Sequence, residues 1–86
     1  MIRVKALGSF KRTLGKAEFE LNEDSIRIAD LLRLLQEYSD KSSSENLRSV
    51  RKLVLVNGVE ISVLEDEQTL VKNGDEIILL PITHGG

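Results

Sequence analysis

Ile2, Val4 and Ala6 alternate with Arg3 and Lys5, so the chain opens on the period-two pattern of a strand with one buried face, ended by Gly8-Ser9. Thr13-Leu14-Gly15-Lys16 carries turn chemistry. Beyond it Ala17, Phe19 and Leu21 alternate with Lys16, Glu18 and Glu20, which predicts a return strand and a hairpin. The period then changes: Ile28, Leu31, Leu32, Leu35 and Tyr38 recur at helical spacing, with Asp30, Arg33, Gln36 and Glu37 on the wetter side. This predicts one amphipathic helix. Asp24 and Ser25 are chemically suitable N-caps for it, and a cap one or two residues later fits the apolar period equally well. Asp40 to Asn46, with serines at 42 to 44, is polar and aperiodic and predicts a mobile loop. Leu53-Val54-Leu55-Val56 is a continuous apolar run suited to a strand covered on both faces, and Asn57-Gly58 is a hairpin signal because both residues tolerate positive φ. A return strand through Glu60-Ile61 follows, and the turn Asn73-Gly74-Asp75 launches a final strand, Glu76 to Ile82.

Composition narrows the functions such a chain can carry. A domain of 86 residues has one modest core and little room for an internal active site. The net charge of −2 arises from 14 acidic and 12 basic residues scattered along the chain. With only Phe10, Phe19 and Tyr38 as aromatics, direct nucleic-acid binding is a poor expectation. The absence of cysteine excludes disulfides, thiolate metal sites and cysteine nucleophiles. Glu65-Asp66-Glu67 reads as a solvated loop rather than a metal site, since no neighbouring ligands complete it. Ile2-Arg3-Val4-Lys5 is a strand pattern rather than a signal-peptide core, and no apolar run approaches the roughly 20 residues that span a bilayer. A soluble cytoplasmic protein without membrane association is expected.

The order strand, strand, helix, strand, short strand, strand predicts an α+β fold: a mixed sheet with one main helix packed across it, the β-grasp or ubiquitin-like arrangement. Its first and last strands would lie side by side and parallel in the middle of the sheet, which accounts for the unbroken run Ile77 to Leu80. Residues 1–82 are expected to form this single domain and 83–86 a flexible tail. The sequence closes on His84-Gly85-Gly86. A glycine carboxylate on such a stem is a chemical handle, and without Cβ atoms it can enter a narrow channel.

Leu55-Val56-Asn57-Gly58, Gly74-Asp75-Glu76-Ile77 and Leu80-Pro81-Ile82-Thr83-His84-Gly85-Gly86 together resemble the MoaD and ThiS sulfur-carrier family, which includes the small archaeal modifier proteins. Ile28-Ala29-Asp30-Leu31-Leu32 is similar to the family's helix. The resemblance implies a protein cosubstrate rather than an enzyme. On that resemblance an E1-like enzyme would adenylate Gly86 with MgATP, and the chain itself would bind no cofactor. Sulfur transfer then gives a Gly86 thiocarboxylate, a donor for molybdopterin or tRNA thiolation. Attack by a target-protein lysine gives an isopeptide bond. Gly85 and Gly86 are the expected reacting end, and Leu80, Pro81, Ile82, Thr83 and His84 the expected partner-binding stem. The pattern departs from the MoaD tail at Leu80, at Pro81 then Ile82, and at His84, which reads more readily as a solvated side chain than as a base. Two other readings stand beside this one: the small subunit of a molybdopterin synthase acting with its large subunit, and a ubiquitin-like interaction module with an inert tail.

Overall fold

The computed structural model describes residues 1–39 and 46–82. Strand β1 (Ile2–Ala6) is followed by a six-residue helix α1 (Ser9–Leu14), then β2 (Glu18–Leu21), β3 (Ser25–Arg27) and helix α2 (Ile28–Tyr38). Strands β4 (Lys52–Val56) and β5 (Val59–Glu60) come next, then 3₁₀ turns at Ile61–Val63 and Asp66–Gln68, β6 (Leu70–Lys72) and β7 (Glu76–Pro81). Five strands form a mixed sheet in the order β2-β1-β7-β4-β5, and β3 pairs with β6 in a separate two-stranded ribbon. As expected, β1 and β7 are parallel neighbours, with Val4 opposite Ile77 and Ala6 opposite Leu79. This is the β-grasp topology.

The alternation along the strands builds the core. Ile2, Val4 and Ala6 of β1, Phe19 and Leu21 of β2, Val54 and Val56 of β4, and Ile77 and Leu79 of β7 all point to one face. There they meet Ile28, Leu31, Leu32 and Leu35 of α2. Each fully buried Val, Leu or Ile among them contributes about 1.5–3 kcal/mol of transfer free energy, which is what holds an 11-residue helix that would be marginal in isolation.

The β1–β2 connection, the β3–β6 ribbon and the end of the return strand depart from the sequence expectation. The β1–β2 connection holds α1 rather than a tight turn: Phe10 and Leu14, one helical turn apart, are buried in the core, and Gly15 closes the helix in the left-handed conformation. The N-cap of α2 is Arg27, two residues past Ser25 and so at the later start that the apolar period also allowed, and it makes no side-chain cap bond. The cause is β3: Ser25–Arg27 is drawn out against β6, Ile26 opposite Val71, so the chain stays extended until Arg27. The amide of Ile28 then donates to the carbonyl of Thr69. The return strand after Asn57-Gly58 stops at Glu60, because Ile61 turns inward as the buried start of a 3₁₀ turn. The expected loop at Asp40 to Asn46 lies, apart from Asn46, outside the described residues. On its far side Leu47 is fully buried, its amide held by Oε1 of Gln36 at 2.7 Å.

Candidate functional site

The expected reacting end issues from β7, so the geometry of that strand's C-terminal half defines the site. β7 lies between β1 and β4, paired to both. Its inward residues Ile77 and Leu79 are fully buried, whereas Ile78 and Leu80 stand on the opposite face, half-buried. Leu80 is opposite Leu53 and Ile78 opposite Leu55, both also half-buried, so the two strands lay four apolar side chains on the sheet face away from α2. β4 is therefore covered fully on one face and only partly on the other. At the β1 border the Glu76 carboxylate lies 3.6 Å from both Arg3 and Lys5.

Two contacts fix the root of the tail. Pro81 pairs with Lys52 as the last residue of β7, and its ring lies against Gly8, where an added Cβ would stand 3.0 Å from Pro81 Cγ. Gly8 holds φ 59° and ψ −137°, a conformation essentially reserved for glycine. The amide of Ile82 donates to the carbonyl of Arg51 at 3.1 Å, so the backbone is held through residue 82 while the Ile82 side chain is 39% exposed. Of the expected stem residues, Leu80, Pro81 and Ile82 are thus brought together beside Gly8, Arg51 and Lys52. Thr83, His84, Gly85 and Gly86 lie outside the described residues.

Among the described residues, Lys52 is the one group near the root with a resolved perturbation. Burial lowers its ammonium below the ordinary lysine range; the Glu67 carboxylate pulls the other way, and the Arg48 guanidinium adds to the lowering. Nζ donates to the carbonyls of Arg48 and Val50 at 3.1 and 3.3 Å. Glu67 itself is taken by Arg48, at 2.7 Å. Asp66 and Glu67 thus lie in a 3₁₀ turn, and among the described residues no group of three metal-ligating side chains is assembled. None of the described helices is long and apolar enough to cross a membrane.

The ThiS family profile matches residues 4–86, nearly the whole chain and through both glycines. The chain belongs to the ThiS family. The family is one of ubiquitin-like sulfur carriers and modifiers, whose members are small carrier proteins. It is similar to the small archaeal modifier protein 1 of Methanosarcina acetivorans, with 27% identity, 99% of this chain and 95% of that one covered, and a TM-score of 0.76. It is 24% identical over 79 residues to a candidate sulfur carrier protein of Archaeoglobus fulgidus, covering 86% of this chain and 90% of that one. A likeness of fold extends to the complex of subunits 1 and 2 of the molybdopterin-converting factor of Helicobacter pylori, at 24% identity, 99% and 97% coverage and a TM-score of 0.62.

Sequence reasoning named the stem but missed what flanks it. The outward patch was legible in principle, since β4 and β7 are both unbroken apolar runs where one buried face needs only alternate apolar residues. The Gly8–Pro81 contact leaves no such trace, because it joins positions far apart in the chain.

Proposed function

We propose that the chain is a protein cosubstrate whose Gly86 carboxylate is adenylated by an E1-like enzyme and then passed to sulfur or to an amine. The observation that carries this reading is the family match running through Gly85-Gly86, directly beyond a strand whose backbone is pinned as far as Ile82. A carboxylate resists nucleophiles because of its charge. Its oxygen attacks the α-phosphorus of MgATP, pyrophosphate leaves, and the resulting acyl adenylate is neutral at the carbonyl. Hydrosulfide that attacks this carbonyl expels AMP, loses its proton and leaves a thiocarboxylate, whose sulfur can be passed to a pterin or tRNA acceptor. A lysine amine that attacks the same carbonyl expels AMP, loses a proton and forms an isopeptide bond. MgATP belongs to the partner. The chain contributes glycines that pass a narrow channel and a root at Leu80, Pro81 and Ile82, held by backbone hydrogen bonds, that sets where the stem starts. The half-buried patch Leu53, Leu55, Ile78 and Leu80 adjoins that root and supplies apolar area for the partner.

The fold shared with one subunit of the H. pylori two-subunit complex supports a second reading, in which this chain acts as the small subunit beside a catalytic large one. An N-terminally tagged chain and a Gly86-deleted copy, expressed in the source cells, test these together by denaturing ladders and intact mass. A Gly86-dependent ladder is the outcome for conjugation, and free protein carrying the oxygen-to-sulfur mass change is the outcome for sulfur carriage. A stable large-subunit complex together with that mass change selects the second reading. Identical behaviour of both copies leaves an inert-tail interaction module and refutes the proposal.

A further inference from the structure

The charges are unevenly placed in a way the net value hides. Residues 1–17 hold Arg3, Lys5, Lys11, Arg12 and Lys16 and no carboxylate, while all 14 acidic residues lie between Glu18 and Glu76. Arg3 and Lys5 share Glu76, and Lys16 lies over the Phe19 ring. Lys11 and Arg12 are exposed on α1 and have no ion pair among the described residues. They line an open cleft of about 690 Å³ together with Gly8, Ser9 and Gly15, and Gly8 is the residue that abuts Pro81. Two free cations on a helix packed into the core therefore stand beside the root of the stem.

We propose that Lys11 and Arg12 recognise a carboxylate-lined rim around the nucleotide site of the activating enzyme, an inference that rests on the activation reading above. The argument is one of reach. Four residues separate Ile82 from the end of Gly86, and an extended chain of that length spans at most about 14 Å. With Gly86 at the α-phosphate, the α1 cleft is pressed against the enzyme surface that surrounds the channel mouth. Cations brought into such a contact lose water and are costly there unless carboxylates meet them. The same complementarity orients a chain of net negative charge so that its stem end approaches first. An RNA acceptor is the less favoured occupant, since the cleft has no aromatic side chain on which a base could stack.

The test is ATP–pyrophosphate exchange by the activating enzyme of the same organism, with the full chain as the varied substrate, at low and high KCl. Lys11→Glu/Arg12→Glu is expected to raise KM about tenfold at low salt with kcat unchanged, and the gap should close at high salt. Lys11→Arg/Arg12→Lys should keep the wild-type KM, as should Arg27→Glu, a reversal at an exposed cation on β3. Equal melting temperatures for the three variants exclude a folding cause. Exchange in which the α1 reversal leaves KM unmoved, or moves it no more than Arg27→Glu does, overturns the inference alone. Loss of binding to a tRNA transcript with exchange unaffected overturns it in favour of RNA. No exchange with the unaltered chain, in an enzyme preparation that turns over its own carrier, overturns the activation reading and this inference together.

Discussion

Replacing Gly8 by alanine should strain the domain at the point where the stem leaves it. Two costs add. The backbone at φ 59°, ψ −137° lies in a region that L side chains avoid, and holding alanine there costs about 1–3 kcal/mol. The new Cβ also meets Pro81 at 3.0 Å from Cγ and 3.3 Å from Cδ, atoms of a ring that cannot rotate away, and such overpacking costs on the order of 1 kcal/mol. The sum, about 3 kcal/mol, corresponds to a fall in Tm of about 12–24 °C for a domain of this size. Gly15→Ala is the internal control, because Gly15 also has positive φ, 83°, but nothing within 4 Å of its added Cβ. It should cost only about 1 kcal/mol. A double-mutant cycle in urea then isolates the contact: in a Pro81→Ala background the penalty of Gly8→Ala should shrink by about 1 kcal/mol, the ring having gone. A Gly8→Ala penalty equal to that of Gly15→Ala, or a cycle with no coupling, would refute the claim that the Gly8–Pro81 contact fixes the tail root.

Alternation along β7 predicts that Leu79→Ala, at a fully buried site, costs about 2–5 kcal/mol in urea unfolding, whereas Leu80→Ala, on the outer face, costs about 1 kcal/mol; equal losses would contradict the assigned faces. Asn57 has φ 50° and its side chain accepts from the Glu76 amide and donates to Asp75, so Asn57→Gly should cost about 1–2 kcal/mol for the lost bonds. Asn57→Ala should cost about 1 kcal/mol more because of the left-handed backbone, which urea titration of the pair resolves. Lys52 has its pKa lowered on folding, so between that lowered value and 10.5 the unfolded chain binds more protons than the native one and stability from this group rises with pH. The stability of the wild type relative to Lys52→Met should therefore increase as pH rises through this window toward 10.5, and a difference independent of pH would remove the basis for the assigned shift.

The elements legible from the sequence are those whose signal is local and long enough. β1, α2, β4 and β7 each repeat their apolar period over several residues, and Asn57-Gly58 adopts the positive φ values at both positions that its residue types permit, 50° and 84°. What escaped is short and held from a distance. α1 spans six residues, too few to be stable alone, and forms because Phe10 and Leu14 are received by a core assembled from the rest of the chain. Its signal was present as an i, i+4 apolar pair closed by Gly15. β3 and β6, three residues each, carry too little alternation to stand out, and their pairing selects Arg27, the later of the α2 starts the apolar period allowed, over Asp24 and Ser25.

The site divides along the same line, and the division has a mechanical consequence. The expected reacting end, Gly85-Gly86, is written in contiguous residues, so it is legible in the chain. The root is built from Gly8, Arg51, Lys52 and Pro81, which three different segments bring together, so only the folded sheet reveals it. β7 joins the two. Its inward residues Ile77 and Leu79 tie it to the core, and its outward residues Ile78 and Leu80 remain available to a partner. A contact made on the outer face is therefore transmitted to the stem through a central strand paired on both sides, not through a loop. A partner that grips the patch also fixes where residue 82 lies.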